Sequence, residues 1–289
     1  MVPIDHFLEI QRNLRIHYAE WPGPAGPPVV LLHGWMDIAR SWDPVAERLS
    51  KRHRVLALDF RGHGLSGWVG PGGYYHFPEY VLDVQAIVET AAGGGPVYLI
   101  GHSMGGMVGS LFAGTFPEKI LRFANLEGFG PPDMQHGVAP KRFADWTAAV
   151  LTQGEKPAKT YKTLEEAAAR MRKSNPRLSE EFSKHLAFHG TEKGLDGLLR
   201  FRFDPWLKTT SPQPFYLLQA QAFWKRITCP TLGVVGEVSA FKQMIPDWRS
   251  RMESYPDMRI VEIPGTGHMM HHEKPGELSE ILLEFLEKR

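Results

Sequence analysis

The run Val97-Tyr98-Leu99-Ile100-Gly101-His102-Ser103-Met104-Gly105-Gly106 decides how this chain is read. It is an apolar stretch ending in Gly-x-Ser-x-Gly, and Met107-Val108-Gly109-Ser110-Leu111-Phe112 continues it as a helix-compatible segment. A serine side chain stands up from so sharp a strand-to-helix turn only if the positions two before and two after it lack a Cβ to collide with. Gly101 and Gly105 meet that demand and Gly106 adds room, so Ser103 is the candidate nucleophile.

Working outward, strand-like and helix-like stretches alternate. His6 to Trp21 carries Phe7-Leu8-Glu9-Ile10 and Leu14-Arg15-Ile16-His17-Tyr18 around the polar Gln11-Arg12-Asn13, which predicts a hairpin. Val29-Val30-Leu31-Leu32, Arg54 to Asp59, Phe123 to Leu126, Thr231 to Val235 and Arg259 to Ile263 are short apolar runs suited to strands covered on both faces. Between them, Trp42 to Leu49 and Phe77 to Ala91 are expected as helices. In the second, Tyr80, Val81, Val84, Ile87 and Val88 share one helical face, and Gly93-Gly94-Gly95-Pro96 stops it. The last helix presents Leu278, Ile281, Leu282, Phe285 and Leu286. This alternation predicts an α/β fold with a mostly parallel central sheet, helices on both faces, and ligand-facing loops at the carboxyl ends of the strands.

Between Pro131 and Ile227 the alternation breaks. Helix-period segments lie near Phe143 to Leu151, Leu164 to Met171, Leu178 to Leu186 and Leu217 to Trp224, with no convincing strand among them. Residues 1–130 and 228–289 are therefore expected as the core and 131–227 as a helical cap. Its aromatics, Phe143, Trp146, Phe182, Phe215, Phe223 and Trp224, suit either a lid or packing.

The chain has 289 residues, 43% of them hydrophobic, enough for one core domain with an insertion. Lys and Arg total 33 against 32 Asp and Glu, and a net charge of +1 gives no reason to expect nucleic acid or an anionic membrane as partner. A small molecule is the expected partner, and the oligomeric state stays open. Cys229 is the single cysteine, which excludes an internal disulfide and a cysteine-based zinc site and suits a reducing compartment. Met1 to His6 shows no basic or apolar leader character, and no window approaches the ~18 apolar residues of a membrane span. The expected location is cytoplasmic.

Serine is a weak nucleophile without a base, and the base needs an orienting acid. Among 13 histidines, His268 follows a strand end and a Gly265-Thr266-Gly267 loop, from which it can reach back over the sheet. A metal cluster of His268, His271 and His272 lacks a converging carboxylate pattern, so no metal and no cofactor are expected. The backbone N–H groups of Met104, after the nucleophile, and of Trp35, after His33-Gly34, are placed by the topology to serve as oxyanion donors. Trp35, Phe129 and Trp146 are the candidate substrate contacts. His33 is read as structural, and Asp59 and Arg61 as braces of their loops.

Leu31-Leu32-His33-Gly34-Trp35, Asp59-Phe60-Arg61-Gly62-His63-Gly64-Leu65-Ser66, Gly101-His102-Ser103-Met104-Gly105-Gly106 and Gly267-His268 resemble the α/β-hydrolase superfamily over nearly the whole chain outside the insertion. Leu126-Glu127-Gly128-Phe129-Gly130-Pro131, Phe201-Arg202-Phe203-Asp204-Pro205 and His268 to Pro275 resemble its serine hydrolase-like group. The usual place for the acid is the loop after the Thr231 to Val235 strand. That loop reads Gly236-Glu237-Val238-Ser239, with a serine where the acid would stand. Glu127, at the end of the strand after Ser103, is the assigned acid, with Glu237 as the alternative. The resemblance implies a serine hydrolase acting on an ester or related acyl bond of a small, fairly apolar substrate through an acyl-Ser103 intermediate. A non-catalytic ligand-binding homologue and a carbon–carbon hydrolase or lyase using the same triad are the competing readings.

Overall fold

Uninterrupted apolar runs of four residues can stay dry only inside a sheet that is covered on both faces. The computed structural model, which describes residues 2–10, 14–70, 72–152 and 158–288, places them there. The chain begins with an antiparallel pair, β1 (Ile4–Ile10) and β2 (Leu14–Trp21); the turn expected at Gln11 to Asn13 lies outside the described residues. It continues through β3 (Val29–Leu32), α1 (Asp43–Leu49), β4 (Val55–Leu58), α2 (Phe77–Ala86), β5 (Val97–His102), α3 (Met104–Thr115) and β6 (Ile120–Leu126). The insertion holds α4 (Ala139–Thr152), α5 (Leu164–Ser174), α6 (Glu180–Gly190), β7 (Thr191–Lys193), β8 (Leu199–Phe201) and α7 (Leu217–Trp224). The core closes with β9 (Thr231–Gly236), α8 (Ala240–Met244), α9 (Trp248–Met252), β10 (Met258–Ile263), α10 (Met270–Glu273) and α11 (Pro275–Glu287).

Eight strands form one sheet in the order β1-β2-β4-β3-β5-β6-β9-β10. The pairs from β4 to β10 are parallel, and β2 joins β4 antiparallel. Every residue of β3 and β4 is buried, as their uniform sequence requires. One hydrophobic cluster, with Val84, Val108 and Phe112, fills the α2–α3 face; a second, with Trp42, Leu49, Leu282 and Phe285, fills the α1–α11 face. Cys229 packs in the first, and burial pushes its thiol up to about 11. The parallel strands all end on one edge, so the loops after β3, β4, β5, β6, β9 and β10 converge.

One feature departs from expectation and another decides between two open readings. The insertion is not purely helical: β7 and β8 pair antiparallel, and Tyr161 bridges to Leu199 beside them. Three-residue strands are too short to display a period. Of the two readings open for Trp224, lid or packing, the second holds: it is 1% exposed, stacked on Tyr255 at 5.2 Å and donates Nε1–H to Ser110 Oγ at 2.9 Å. Its helix α7 thus packs on α3, whereas α4 has no buried residue at all.

Candidate active site

Ser103 sits between β5 and α3 with φ 50 and ψ −115, a conformation that L-residues adopt only under constraint. The constraint is steric. A Cβ on Gly101 would lie 2.3 Å from the Gly105 carbonyl oxygen, and one on Gly105 would lie 2.4 Å from that of Leu32. Strand, turn and helix approach so closely that only glycine fits at either position. The Ser103 N–H donates to Leu126 O at 2.8 Å, which ties the turn to β6. Ser103 Oγ makes no hydrogen bond among the described residues, and the backbone N–H groups of Met104 and Trp35 likewise have no acceptor among them.

Glu127 leaves the end of β6 at φ 52 and is fully buried. A carboxylate out of water needs donors on its oxygens, and three elements supply them. The Gly236 N–H donates to Oε1 at 2.8 Å, Ser239 Oγ donates to Oε2 at 2.7 Å, and His268 Nδ1 donates to Oε2 at 2.5 Å. Asn125 holds the turn by accepting the Gly128 N–H at 2.7 Å. The alternative acid, Glu237, is exposed and accepts from the Gly265 N–H at 2.8 Å, away from His268. The structure therefore brings Glu127, not Glu237, to the imidazole. The serine that stands in the usual acid position is one of the Glu127 donors, a role that sequence alone did not suggest.

With Nδ1 committed to Glu127, the Nε2 of His268 is free to accept a proton, and its side chain remains 28% exposed. Its main chain is anchored from both sides. His102 Nε2 donates to His268 O at 2.8 Å, and the Gly267 N–H donates to Glu273 Oε2 at 2.7 Å. Burial, reinforced by neighbouring His271 and His268, holds His102 well below the usual imidazole range. A neutral His102 is thus a single-proton donor to that carbonyl.

The remaining expected residues divide. His33 accepts the Phe60 N–H at 3.0 Å on Nε2 and donates Nδ1–H to Gly34 O at 2.7 Å, a buried structural group. Asp59 accepts from Ala39 N, Leu65 N and His17 Nδ1, and Arg61 grips Asp83 through Nε and Nη2, so both brace loops as read. Trp35 is 53% exposed and donates Nε1–H to Leu207 O in the insertion at 3.3 Å. Trp146 meets Tyr74 edge-on at 5.3 Å. Phe129 is a correction: only 1% exposed, its ring is stacked on Phe241 at 5.1 Å and packed against Trp248, so core packing occupies it. Among the described residues His268 joins no metal-type cluster; two such groups are present, buried Asp37, His271 and His272, and half-buried Asp43, His185 and His189.

A serine on a strained turn, a histidine fixed in one tautomer by a buried carboxylate, and two unengaged backbone donors are the parts that acyl transfer uses. The model of the alpha/beta hydrolase family matches residues 29–281. Serine hydrolase-like protein 2 of Homo sapiens is 28% identical over 92% of this chain and 89% of its own length. The 3-hydroxybutyrate-oligomer hydrolase of Cupriavidus necator is also 28% identical, over 92% and 90%. Among solved structures, a hypothetical protein of Pseudomonas aeruginosa superposes with a TM-score of 0.89 at 29% identity, covering 99% of both chains. The chain belongs to the alpha/beta hydrolase family, and within it resembles the serine hydrolase-like group.

Proposed function

We propose that this protein is a serine hydrolase that cleaves an ester or related acyl bond of a small, fairly apolar substrate. The observation that carries the reading is the 2.5 Å hydrogen bond from His268 Nδ1 to a fully buried Glu127, beside a serine held at positive φ. In this reading Ser103 Oγ attacks the carbonyl carbon while His268 Nε2 takes its proton. Glu127 stabilises the imidazolium that forms. The N–H groups of Met104 and Trp35 receive the developing oxyanion. His268 then returns the proton to the leaving alkoxide, and a water activated by the same nitrogen releases acyl-Ser103. The Ser103–His268 hydrogen bond closes in the substrate complex, as unliganded sites of this kind allow.

The oligomer hydrolase of Cupriavidus necator supports an acyl substrate by its name, and the single buried Cys229 supports a cytoplasmic location. No helix among the described residues is long and apolar enough to cross a membrane. Labelling with a fluorophosphonate probe tests the mechanism directly. The wild-type protein is expected to be modified at Ser103 and to turn over short aryl esters. Ser103→Ala is expected to lose labelling and about 10⁴–10⁶-fold in kcat. An unlabelled wild-type protein that binds ester-like ligands unchanged would select the non-catalytic reading instead.

A further inference from the structure

Asp37 is 234 residues from the adjacent pair His271 and His272, yet the three form one buried cluster. Their side chains are 5%, 0% and 4% exposed. Asp37 Oδ2 lies 3.0 Å from His271 Nε2 and 3.3 Å from His272 Nε2, and one ligand atom of each residue lies within 4.8 Å of the others. An ion bound at ~2.0–2.1 Å requires neighbouring ligand atoms about 3.0–3.4 Å apart, which these separations approach.

Two observations distinguish this cluster from an ordinary hydrogen-bonded network. His272 Nε2 lies 3.3 Å from Asp37 Oδ2, in ion-pair range, but does not meet hydrogen-bond geometry with it, whereas His271 Nε2 bonds the same oxygen at 3.0 Å. Two buried ring nitrogens thus face one carboxylate oxygen, and all three ligand atoms lie within 4.8 Å of one another. The carboxylate is also oriented from behind. The Ile38 N–H donates to Oδ1 at 2.9 Å, Ser41 Oγ donates to Oδ2 at 3.0 Å, and the His271 ring is stacked on Trp42 at 4.5 Å. Such outer contacts fix the direction of metal ligands.

We propose that Asp37, His271 and His272 form a binding site for a divalent first-row transition ion, zinc being the reference case, distinct from the Ser103–His268–Glu127 constellation. Two imidazoles and one carboxylate suit such an ion and leave positions for water. Asp37 lies two residues beyond Trp35, and His271 lies three beyond His268. A bound ion therefore clips the loop after β3 to α10, which follows the His268 loop.

The test uses tag-free full-length protein freed of metal by a chelator and titrated with Co²⁺, whose visible absorbance reports nitrogen and oxygen ligation. One Co²⁺ per chain is expected, competed by Zn²⁺, with at least tenfold weaker binding in His272→Gln and in His271→Gln. Binding is expected unchanged in Ser103→Ala, which separates this proposal from the hydrolase reading. His189→Gln probes the other cluster, Asp43 with His185 and His189. The proposal is overturned by a wild-type protein that takes up no Co²⁺ at micromolar concentrations. It is equally overturned by wild-type affinity in a folded His272→Gln, or by loss of binding in His189→Gln alone. Absence of Co²⁺ uptake by the wild-type protein overturns the proposal whatever the variants do, and Asp37→Asn, which keeps the side-chain shape and is expected to weaken binding at least tenfold, stands in for a histidine variant that fails to fold.

Discussion

The strand ends and the insertion that lies against them are organised in opposite ways. At the strand ends, each group is held by hydrogen bonds from a neighbouring strand or its loop. Ser103 N–H bonds to β6, and Glu127 takes donors from the ends of β9 and from the loops after β9 and β10. In the insertion, α5 and α6 pack on one another through Ala167, Ala168 and Ala187, while α4 buries nothing and touches the core region through rings such as Trp146 on Tyr74. A network of short hydrogen bonds tolerates little displacement, whereas ring contacts slide at small cost. Substitutions at the strand ends should therefore act on kcat and folding, and substitutions in the insertion on KM.

The largest expected effect lies at Glu127. Glu127→Gln keeps the shape but removes the charge that favours the imidazolium and fixes the His268 tautomer, and about a 10⁴-fold fall in kcat is expected. Glu237→Gln, at the neighbouring strand end, is expected within about threefold of wild type, because its carboxylate serves an exposed loop N–H. Steady-state kinetics on one aryl ester measures both. Loss of turnover in Glu237→Gln alone would reverse the assignment of the acid.

Next comes Ser239→Ala. It removes one of the three donors on a buried carboxylate, a hydrogen bond to a charged group worth about 1.5–3 kcal/mol. About ten- to hundredfold in kcat is expected, with KM little changed. Unchanged kcat would mean that Gly236 N–H and His268 alone hold the acid.

How much of this was legible depended on distance along the chain and on period. The uniform apolar runs of β3, β4 and β5 state their burial outright, and Gly101-x-Ser103-x-Gly105 states the turn because the glycines are imposed by contacts within a few residues. Glu127 was legible through its place after a strand. The donor role of Ser239 was not, since it depends on β6 and β9 lying side by side. The 234-residue separation between Asp37 and His271 hid a carboxylate that the His271-His272 pair lacked in sequence. Phe129 misled, and Trp224 stayed open between lid and packing, for a related reason: an aromatic in a loop or a short helix carries no mark of which way its ring will turn. β7 and β8 were invisible because three residues cannot show alternation.

A pH series compares the two regions by stability. His63, buried near the end of β4, is pushed down to about 3, chiefly by burial and then by His33. The unfolded chain takes up this proton near pH 6.5 while the folded one refuses it. Stability is therefore complete above about pH 6.5 and falls as pH drops from there toward about 3, by up to about 1.4 kcal/mol per unit for this residue. His189, at the seam between α6 and the core, is pushed down to about 4 by burial and by Arg40, so its contribution falls in the same direction. Urea melts at pH 7, 6 and 5 should show a loss that is shallower in His63→Asn. An identical slope in that variant would assign the acid sensitivity to other groups.

The smallest expected effect belongs to the insertion and tests the comparison from its weaker side. Trp146 meets Tyr74, Tyr74 meets Trp206 at 5.8 Å, and Leu207 O accepts the Trp35 Nε1–H, so an aromatic wall runs from α4 down to the loop after β3. Aromatic contacts are worth about 0.5–1.5 kcal/mol each, so Trp146→Ala is expected to raise KM about two- to tenfold for an aryl ester. Its kcat should hold, because nothing at the strand ends leans on that ring, and its thermal midpoint should hold because α4 buries no residue. A fall in kcat with KM unchanged would show that α4 helps to set the geometry of Ser103 and His268, and would erase the division between a rigid chemical edge and an adaptable cover.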